Sequence, residues 1–107
     1  MRVIARSTLA KFWSEPAYAD SKSALQSWYD ETIAAHWTTP QDIKAHYRSA
    51  SICANNRVVF NIAGNIFRLV VEIQYRAGIA WVKFIGTHAQ YDQINVETVS
   101  EYYADTK

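Results

Sequence analysis

The chain has little cysteine, glycine and proline and no long apolar run. Among its 107 residues are one cysteine, three glycines and two prolines. The single cysteine, Cys53, excludes a disulfide framework within the chain and is typical of a reducing compartment. No apolar stretch approaches the roughly 18 residues that a membrane span needs, and the N-terminus lacks the apolar region of a signal peptide. The sequence therefore predicts a cytoplasmic protein that does not contact the membrane.

The usual motifs of metal and cofactor chemistry are also missing. The sequence contains no Gly-rich phosphate loop, no Ser-His-Asp order, no carboxylate pair and no cluster of metal ligands. We therefore expect neither a metal ion nor a cofactor. There is no internal repeat or linker, and 50% of the residues are hydrophobic and 20% are charged. This composition predicts one domain, residues 1–107.

The net charge of +1 conceals an uneven distribution. Residues 43–86 hold six Lys and Arg against one acidic residue, Glu72, whereas residues 1–42 hold four against five and residues 87–107 one against four. The basic middle would attract a polyanion. A nearly neutral chain should nevertheless bind nucleic acid weakly without a further partner, because phosphate neutralisation supplies most nonspecific affinity.

The chain reads as a helical half followed by a strand-rich half, which predicts an α+β fold. Residues 2–5 predict a short edge strand, and Ser7 can cap a first helix. A second helix carries a core stripe at helical spacing, namely Leu25, Trp28, Tyr29, Thr32, Ile33 and His36. A third helix is predicted from Pro40 to about Tyr47. Two cations of this region, Lys44 and Arg48, either contact phosphate or belong to a solvated helix face.

Three strands are predicted between Arg57 and Thr87, and the alternation of side chains gives their pairing. A turn at Gly64 and Asn65 pairs Asn61 with Arg68 and Arg57 with Glu72. A second turn, at residues 77–78, pairs Tyr75 with Ala80, Ile73 with Val82, Val71 with Phe84 and Leu69 with Gly86 on the face covered by helices.

The other face of this predicted sheet has two polar rows. Arg57, Glu72 and Lys83 form either an ion-pair ladder or part of a surface that contacts RNA. Asn61, Arg68 and Thr87 form the second row, in which Arg68 has no carboxylate opposite it. An unpaired guanidinium suits an anionic ligand such as phosphate.

A short helix is predicted directly after the third strand. Thr87 and Gln90 have capping-box spacing, so His88 begins the helix and Asp92 lies one turn later, where it can orient the imidazole. Cleavage of RNA needs proton transfer at the 2′-hydroxyl and the 5′-oxygen and stabilisation of charge on phosphorus. His88 could move a proton, Arg68 or Lys83 could bind the charge, and Tyr91 could donate a proton or stack on a base.

The segments VVFNIAGNIFRLVVEIQY and VKFIGTHAQYDQI resemble the HigB-type toxins of bacterial type II toxin-antitoxin systems. The resemblance covers nearly the whole chain and includes RVIARSTLAKFW and ALQSWYDETIAAHW. The family element GN-x-x-R falls on Gly64, Asn65 and Arg68, and Lys83 matches the strand lysine. The element T-H-x-x-Y-D falls on Thr87, His88, Tyr91 and Asp92.

This resemblance implies a small RelE-like fold, with an antiparallel central sheet, two to three N-terminal helices on one face and a short C-terminal helix. It also implies an endoribonuclease that cleaves mRNA on the ribosome. The implied partner is a HigA-type antitoxin with a helix-turn-helix domain, so that contact with DNA would be indirect. Arg68, Lys83, His88 and Tyr91 are the candidate catalytic residues, and Asn61, Arg57, Lys44 and Arg48 are the candidate RNA-binding residues. The alternative is a noncatalytic module that docks an acidic antitoxin segment or structured RNA.

Overall fold

The computed structural model describes residues 1–100, so residues 101–107 of the predicted domain lie outside the described residues. The strands are β1 (Arg2–Ile4), β2 (Ser51–Ile52), β3 (Arg57–Ile62), β4 (Phe67–Gln74) and β5 (Ile79–Thr87). The α-helices are α1 (Arg6–Trp13), α2 (Lys22–Ala34), α3 (Pro40–His46) and α4 (His88–Tyr91), and a 3-10 helix covers Pro16–Ser21. This is the α+β architecture that the sequence predicted.

The five strands form one mixed sheet in the order β1-β5-β4-β3-β2. The pairs β3–β4 and β4–β5 are antiparallel, as predicted. Strand β2, which the sequence did not predict, pairs antiparallel with β3, and β1 lies parallel to β5 at the sheet edge. The predicted edge strand near the N-terminus is therefore confirmed. Strands β3, β4 and β5 form the centre of the sheet, and their side chains determine the character of both faces.

The main core lies between the sheet and helices α1, α2 and α3. Leu9 and Phe12 of α1, Leu25 and Trp28 of α2 and Ile43 of α3 are buried against the sheet. The apolar residues recur at helical spacing, so they lie on one face of each helix. The helices thus leave the other sheet face free for a different set of residues.

The helix predictions can be compared with the starts of α1 and α3 and with the apolar face of α2. Thr39 and Asp42 cap α3 reciprocally, as its predicted start requires. The predicted cap at Ser7 is wrong, because α1 begins at Arg6 after Ala5 and has no side-chain cap. In α2 the predicted core stripe is only partly buried, since 45% of Ile33 is exposed and α2 ends at Ala34, before His36.

The predicted register of the first hairpin is confirmed. Asn61 pairs with Arg68 and Arg57 with Glu72, and the Ile66 amide donates to the Ala63 carbonyl at 3.4 Å across the turn. Positive φ angles occur at Ala63 (54°) and Gly64 (68°). Glycine adopts this conformation at little cost, which explains why the turn forms at this point of the chain.

The predicted register of the second hairpin is wrong. Gln74 pairs with Ile79, so the connection runs through residues 75–78, and a bulge interrupts the ladder between Val70 and Val71. A bulge adds one residue to one strand and reverses the direction of every side chain beyond it. Phe84 and Gly86 were expected on the helix side, but Phe84 packs with Val59 and Val70 on the opposite face.

None of the helices within residues 1–100 is both long and apolar enough to cross a membrane.

Candidate functional site

We call the sheet face away from the helices the outer face. It carries three rows of paired residues across β3, β4 and β5, and these rows follow one another along the strands. The rows are Arg57, Glu72 and Trp81; then Val59, Val70 and Phe84; then Asn61, Arg68 and Gly86. Polar rows therefore occupy the two ends of the outer face, with an apolar row between them.

Arg68 lies in the last of these rows and is buried, with 9% of its surface exposed. One terminal nitrogen donates to the carbonyls of Asn65 and Phe67 at 3.1 and 3.3 Å, and the other donates to Asn65 Oδ1 at 2.7 Å. Within residues 1–100, no carboxylate lies within ion-pair distance of this guanidinium. Neutral acceptors orient Arg68 and leave its positive charge uncompensated there, as binding of an anion requires.

Helix α4 starts beside Arg68, and the predicted capping box is present at its N-terminus. Thr87 Oγ1 accepts from the Gln90 amide at 3.1 Å, and Gln90 Oε1 accepts from the Thr87 amide at 2.9 Å. The His88 amide also donates to the carbonyl of Ile66 in the β3–β4 turn at 3.2 Å. These bonds satisfy the free amides of the helix start and fix His88 next to that turn.

His88 faces solvent and has a carboxylate partner one turn along the chain. Its Nδ1 lies 3.4 Å from Asp92 Oδ2, and 52% of the imidazole surface is exposed. A carboxylate at one ring nitrogen fixes the orientation of the ring and leaves the other nitrogen open to a ligand. The predicted contact between His88 and Asp92 is therefore present.

Tyr91 connects His88 with Arg68. The Arg68 guanidinium lies 5.9 Å from the centre of the Tyr91 ring, and the His88 ring lies 6.4 Å from it. Burial raises the pKa of the Tyr91 hydroxyl, the charges of Cys53 and Asp92 raise it further, and Arg68 lowers it. Tyr91 thus stays protonated, and it can donate a hydrogen bond or a proton. Arg68, His88 and Tyr91 converge, and we call them the Arg68 corner.

Asn61 lies opposite Arg68 in the same row and is half-buried. Asn65, which sequence reasoning treated as a turn residue alone, supplies two of the acceptors that hold Arg68. The spacing of three residues between them was the available signal, because it places an amide within reach of the strand arginine.

Lys83 lies at the other end of the outer face. Its ammonium is 3.7 Å from Glu72 Oε1 and 4.1 Å from the centre of the Trp81 ring. The Arg57 guanidinium is 4.0 Å from the same Glu72 oxygen. The ion pairs of the predicted Arg57-Glu72-Lys83 row are therefore present, although Trp81 and not Lys83 lies opposite Glu72 in the register. Glu72 is four positions from Arg68 along β4, about 13 Å, so Lys83, which forms an ion pair with Glu72, does not belong to the Arg68 corner.

Arg57 is 5% exposed and holds the residues that follow α4. One of its terminal nitrogens donates to the carbonyls of Val96 and Val99. We call residues 92–99 the C-terminal segment; its side chains Ile94, Val96 and Val99 pack against the apolar row of the outer face. The segment therefore covers the middle of this face, and sequence patterns gave no sign of it.

The last two predicted RNA-binding residues, Lys44 and Arg48, lie on or just after α3. The Lys44 ammonium donates to the carbonyls of Arg48 and Ala50 at 2.7 and 2.8 Å. Ile43 and Ala50, their neighbours in sequence, are buried in the main core. Lys44 therefore has a structural partner, and both cations lie apart from the Arg68 corner.

A cleft of about 570 Å³ lies on the helix side beside Trp37. Its two carboxylates already have partners: Glu31 accepts from the Tyr47 hydroxyl, and Asp42 accepts from the amides of Thr38 and Thr39. In the described part of the chain, no three His, Cys, Asp or Glu side chains are arranged to hold a metal ion. The Arg68 corner therefore remains the candidate site.

Comparison with protein families agrees with the resemblance seen in the sequence. Residues 21–94 match the model of the HigB toxin family, described as the RelE-like toxic component of a toxin-antitoxin system. No curated protein gives a significant match. The matched range contains α2, α3, β2 to β5 and α4, and thus every residue of the Arg68 corner. Membership implies a ribonuclease toxin in general terms and an antitoxin partner. The chain belongs to the HigB family of RelE-like toxins.

Proposed function

We propose that this chain is an endoribonuclease that cleaves mRNA engaged with the ribosome, and that a cognate antitoxin neutralises it. The observation that supports the proposal best is the convergence of Arg68, His88 and Tyr91 at one end of the outer face. This corner holds a cation, a proton carrier and a protonated phenol, which are the groups that cleavage of a phosphodiester needs. The reaction as proposed uses these side chains and needs no metal ion.

The proposed chemistry is an internal displacement on phosphorus. The 2′-oxygen of the substrate loses its proton and forms a bond to phosphorus, while the bond from phosphorus to the 5′-oxygen breaks. The products are a 2′,3′-cyclic phosphate and a 5′-hydroxyl, which takes up one proton. Arg68 stabilises the negative charge that develops on the phosphoryl oxygens, since it is held in place before the substrate arrives. His88 and Tyr91 are the groups that exchange protons with the two oxygens.

Asn61 shares the row of Arg68, and we propose that its amide contacts a phosphate oxygen or a base edge. His88 offers a free ring nitrogen because Asp92 engages the other one. Either His88 or Tyr91 can act as the acid that protonates the 5′-oxygen. The other group then accepts the proton of the 2′-hydroxyl, and the two protons need not be the same. Both assignments predict that loss of His88 lowers the rate of the chemical step.

Dependence on the ribosome follows from charge. The net charge of the chain is +1, and weak phosphate neutralisation gives weak affinity for free RNA. If the ribosome presents the message, the chain does not need a high affinity of its own for free RNA. We therefore propose action in the cytoplasm, on translated message, and neutralisation by a HigA-type antitoxin whose helix-turn-helix domain makes any contact with DNA.

The test is cleavage of a defined message in a translating extract. Wild type should cut the message, whereas Arg68→Ala and His88→Ala should lower the rate by at least about 100-fold. The matched controls are Arg76→Ala and His36→Ala, which remove the same side chains from exposed positions outside the corner. Because Arg68 is buried, circular dichroism and thermal unfolding must show that its variant is folded.

The same experiment separates the enzyme from the noncatalytic module. If wild type leaves the message intact, or if both corner variants cut at the wild-type rate, the proposed nuclease is wrong. Binding of antitoxin or RNA without cleavage would then support the module. Efficient cleavage of naked RNA by the purified protein would contradict dependence on the ribosome while leaving the nuclease itself in place.

A further inference from the structure

The feature that the proposed function does not use is an exposed tryptophan. All four tryptophans lie within residues 1–100, and three of them are at most 8% exposed, whereas 39% of Trp81 is exposed. Trp81 lies on β5, between Ile4 of β1 and Glu72 of β4 in the sheet register. It therefore belongs to the outer face, as does the Arg68 corner. The exposed part of the Trp81 ring is available to an aromatic or apolar ligand.

One cation contacts this tryptophan, and two others lie at the same end of the sheet. The Lys83 ammonium lies 4.1 Å from the ring centre and is held there by Glu72 at 3.7 Å. Arg2 is exposed and lies in the neighbouring row of the outer face, because it pairs with Ile79. Among the strand residues at this end of the outer face, Arg2, Arg57 and Lys83 are cations and Glu72 is the one carboxylate. An aromatic face and a net positive charge together match a nucleotide, which offers a base to stack and a phosphate to pair.

Trp81 and the Arg68 corner lie at opposite ends of the outer face, and the C-terminal segment covers the middle between them. A single strand of RNA that reached both ends would therefore pass over or beside this segment. The rows of Arg68 and Glu72 are four positions apart along β4, which is about 13 Å at ~3.3 Å per residue. That span exceeds the contact range of a single side chain, so one nucleotide cannot occupy both ends. Single-stranded nucleic acid commonly follows a basic surface and stacks successive bases on aromatic side chains.

We propose that Trp81 and Lys83 form a second nucleotide subsite, which stacks a base of single-stranded mRNA beside the nucleotide being cleaved and contacts its phosphate. This inference rests on the proposed function, to which it adds a residue that binds substrate without taking part in the chemistry. Lys83 acts in this subsite as a phosphate ligand. The stacking is tolerant of sequence, because every base has an aromatic face.

The first test compares the kinetics of cleavage on ribosomes programmed with a defined message. Trp81→Ala should raise the concentration for half-maximal rate about ten-fold, a change that corresponds to about 1.4 kcal/mol, and should leave the maximal rate unchanged. Trp81→Phe should retain most of the affinity, because a phenyl ring still stacks. The matched control is Ile33→Ala on α2, which removes an exposed apolar side chain, 45% exposed, from the helix side.

The second test locates the stacked base. In a series of messages, a single abasic nucleotide is placed at successive positions around the cleavage site. For wild type, one position outside the scissile nucleotide should reduce the affinity, and Trp81→Ala should be insensitive at that position because the stacking partner is already missing. Equal sensitivity of wild type and Trp81→Ala at every position would overturn the subsite.

Direct binding keeps the subsite testable if no message is cut. If wild type cleaves no message, the proposed function is wrong. The subsite is then tested by fluorescence titration with a single-stranded RNA oligonucleotide at low salt. RNA should quench part of the tryptophan emission of wild type, and Trp81→Phe should lose that quenching. Absence of the difference would refute the subsite. If Trp81→Ala weakens antitoxin binding and leaves RNA binding and cleavage unchanged, this surface belongs to a protein partner and the proposal is wrong.

Discussion

Replacing Gly86 with alanine should disturb both the sheet and the start of α4. Gly86 lies opposite Arg68 on the outer face. A Cβ atom at this position would stand 2.6 Å from Gln90 Oε1 and 2.6 Å from Phe84 Cζ, where ordinary van der Waals contacts begin at about 3.4 Å. Both neighbours would have to move. The variant therefore tests whether close packing of Gly86 holds the helix of His88 in place.

The size of the effect follows from what each neighbour would lose. Gln90 can rotate away, but its Oε1 accepts from the Thr87 amide and its Nε2 donates to the Tyr18 hydroxyl at 3.0 Å. Loss of such a cap costs about 1 kcal/mol. Phe84 is fully buried, and overpacking a buried ring costs about 1 to 3 kcal/mol. Alanine recovers up to about 1 kcal/mol of backbone entropy, so we expect a net loss of about 1 to 3 kcal/mol.

Chemical denaturation of four proteins measures this directly: wild type, Gly86→Ala, Gln90→Ala and the double variant. Gln90→Ala removes one of the two clashing atoms before the methyl group is added. The double variant should therefore be more stable than the sum of the single effects predicts, by about 1 kcal/mol. Since His88 begins the capped helix, Gly86→Ala should also slow cleavage under conditions in which the protein remains folded.

Two results would refute this reasoning. The first is a free energy of unfolding for Gly86→Ala within about 0.5 kcal/mol of wild type, which is the usual scatter for an unconstrained surface position. The second is strict additivity of the Gly86 and Gln90 effects, because additivity would mean that the two side chains do not compete for the same space.

Three further predictions concern Arg57, Tyr91 and Tyr47. Arg57→Met should destabilise the protein by about 2 kcal/mol, because it removes the donors to Val96 and Val99; limited proteolysis should then cut the C-terminal segment faster, and an unchanged rate would contradict this role. Tyr91→Phe keeps the aromatic ring beside Arg68 but removes the proton, so message cleavage should fall by at least about 100-fold if Tyr91 is the acid; a wild-type rate excludes that role. Burial and the hydrogen bond to Glu31 raise the pKa of Tyr47, so the native state keeps a proton that the unfolded state loses; stability should fall as pH rises above about 10, and Tyr47→Phe should flatten this fall in urea titrations.

The sequence predicted those parts of the fold that depend on neighbouring residues. The start of α3 is marked by Thr39 and Pro40, and the α4 capping box needs four residues. The first hairpin needs a turn residue and strict alternation on both sides of it. The predicted register of the second hairpin was wrong for a physical reason. Alternation across β5 is compatible with more than one register, and nothing in the residues around Lys83 signals the extra residue of a bulge.

The candidate site shows the same division between local and distant contacts. His88 and Asp92 are one helical turn apart, so their spacing alone predicted the contact that the structure contains. The contacts of Arg57 with Val96 and Val99 join residues that are 39 and 42 positions apart. No periodicity links such residues. Sequence reasoning therefore described the outer face as open, whereas the C-terminal segment covers its middle.

The bulge in β5 explains why the outer face has two separate ends. If the pairing that begins at Gln74 and Ile79 continued without a bulge, Phe84 and Gly86 would both face the helices, and the side chain of Ile85 would lie opposite Arg68. The extra residue instead brings Phe84 to the outer face, where it forms the apolar row on which Ile94, Val96 and Val99 pack. It also places Gly86 beside Arg68. Because Gly86 has no side chain, Gln90 can lie directly above it, and α4 can bring Tyr91 over the Arg68 guanidinium. A local irregularity of one strand thus creates both the apolar separation and the space in which the Arg68 corner forms.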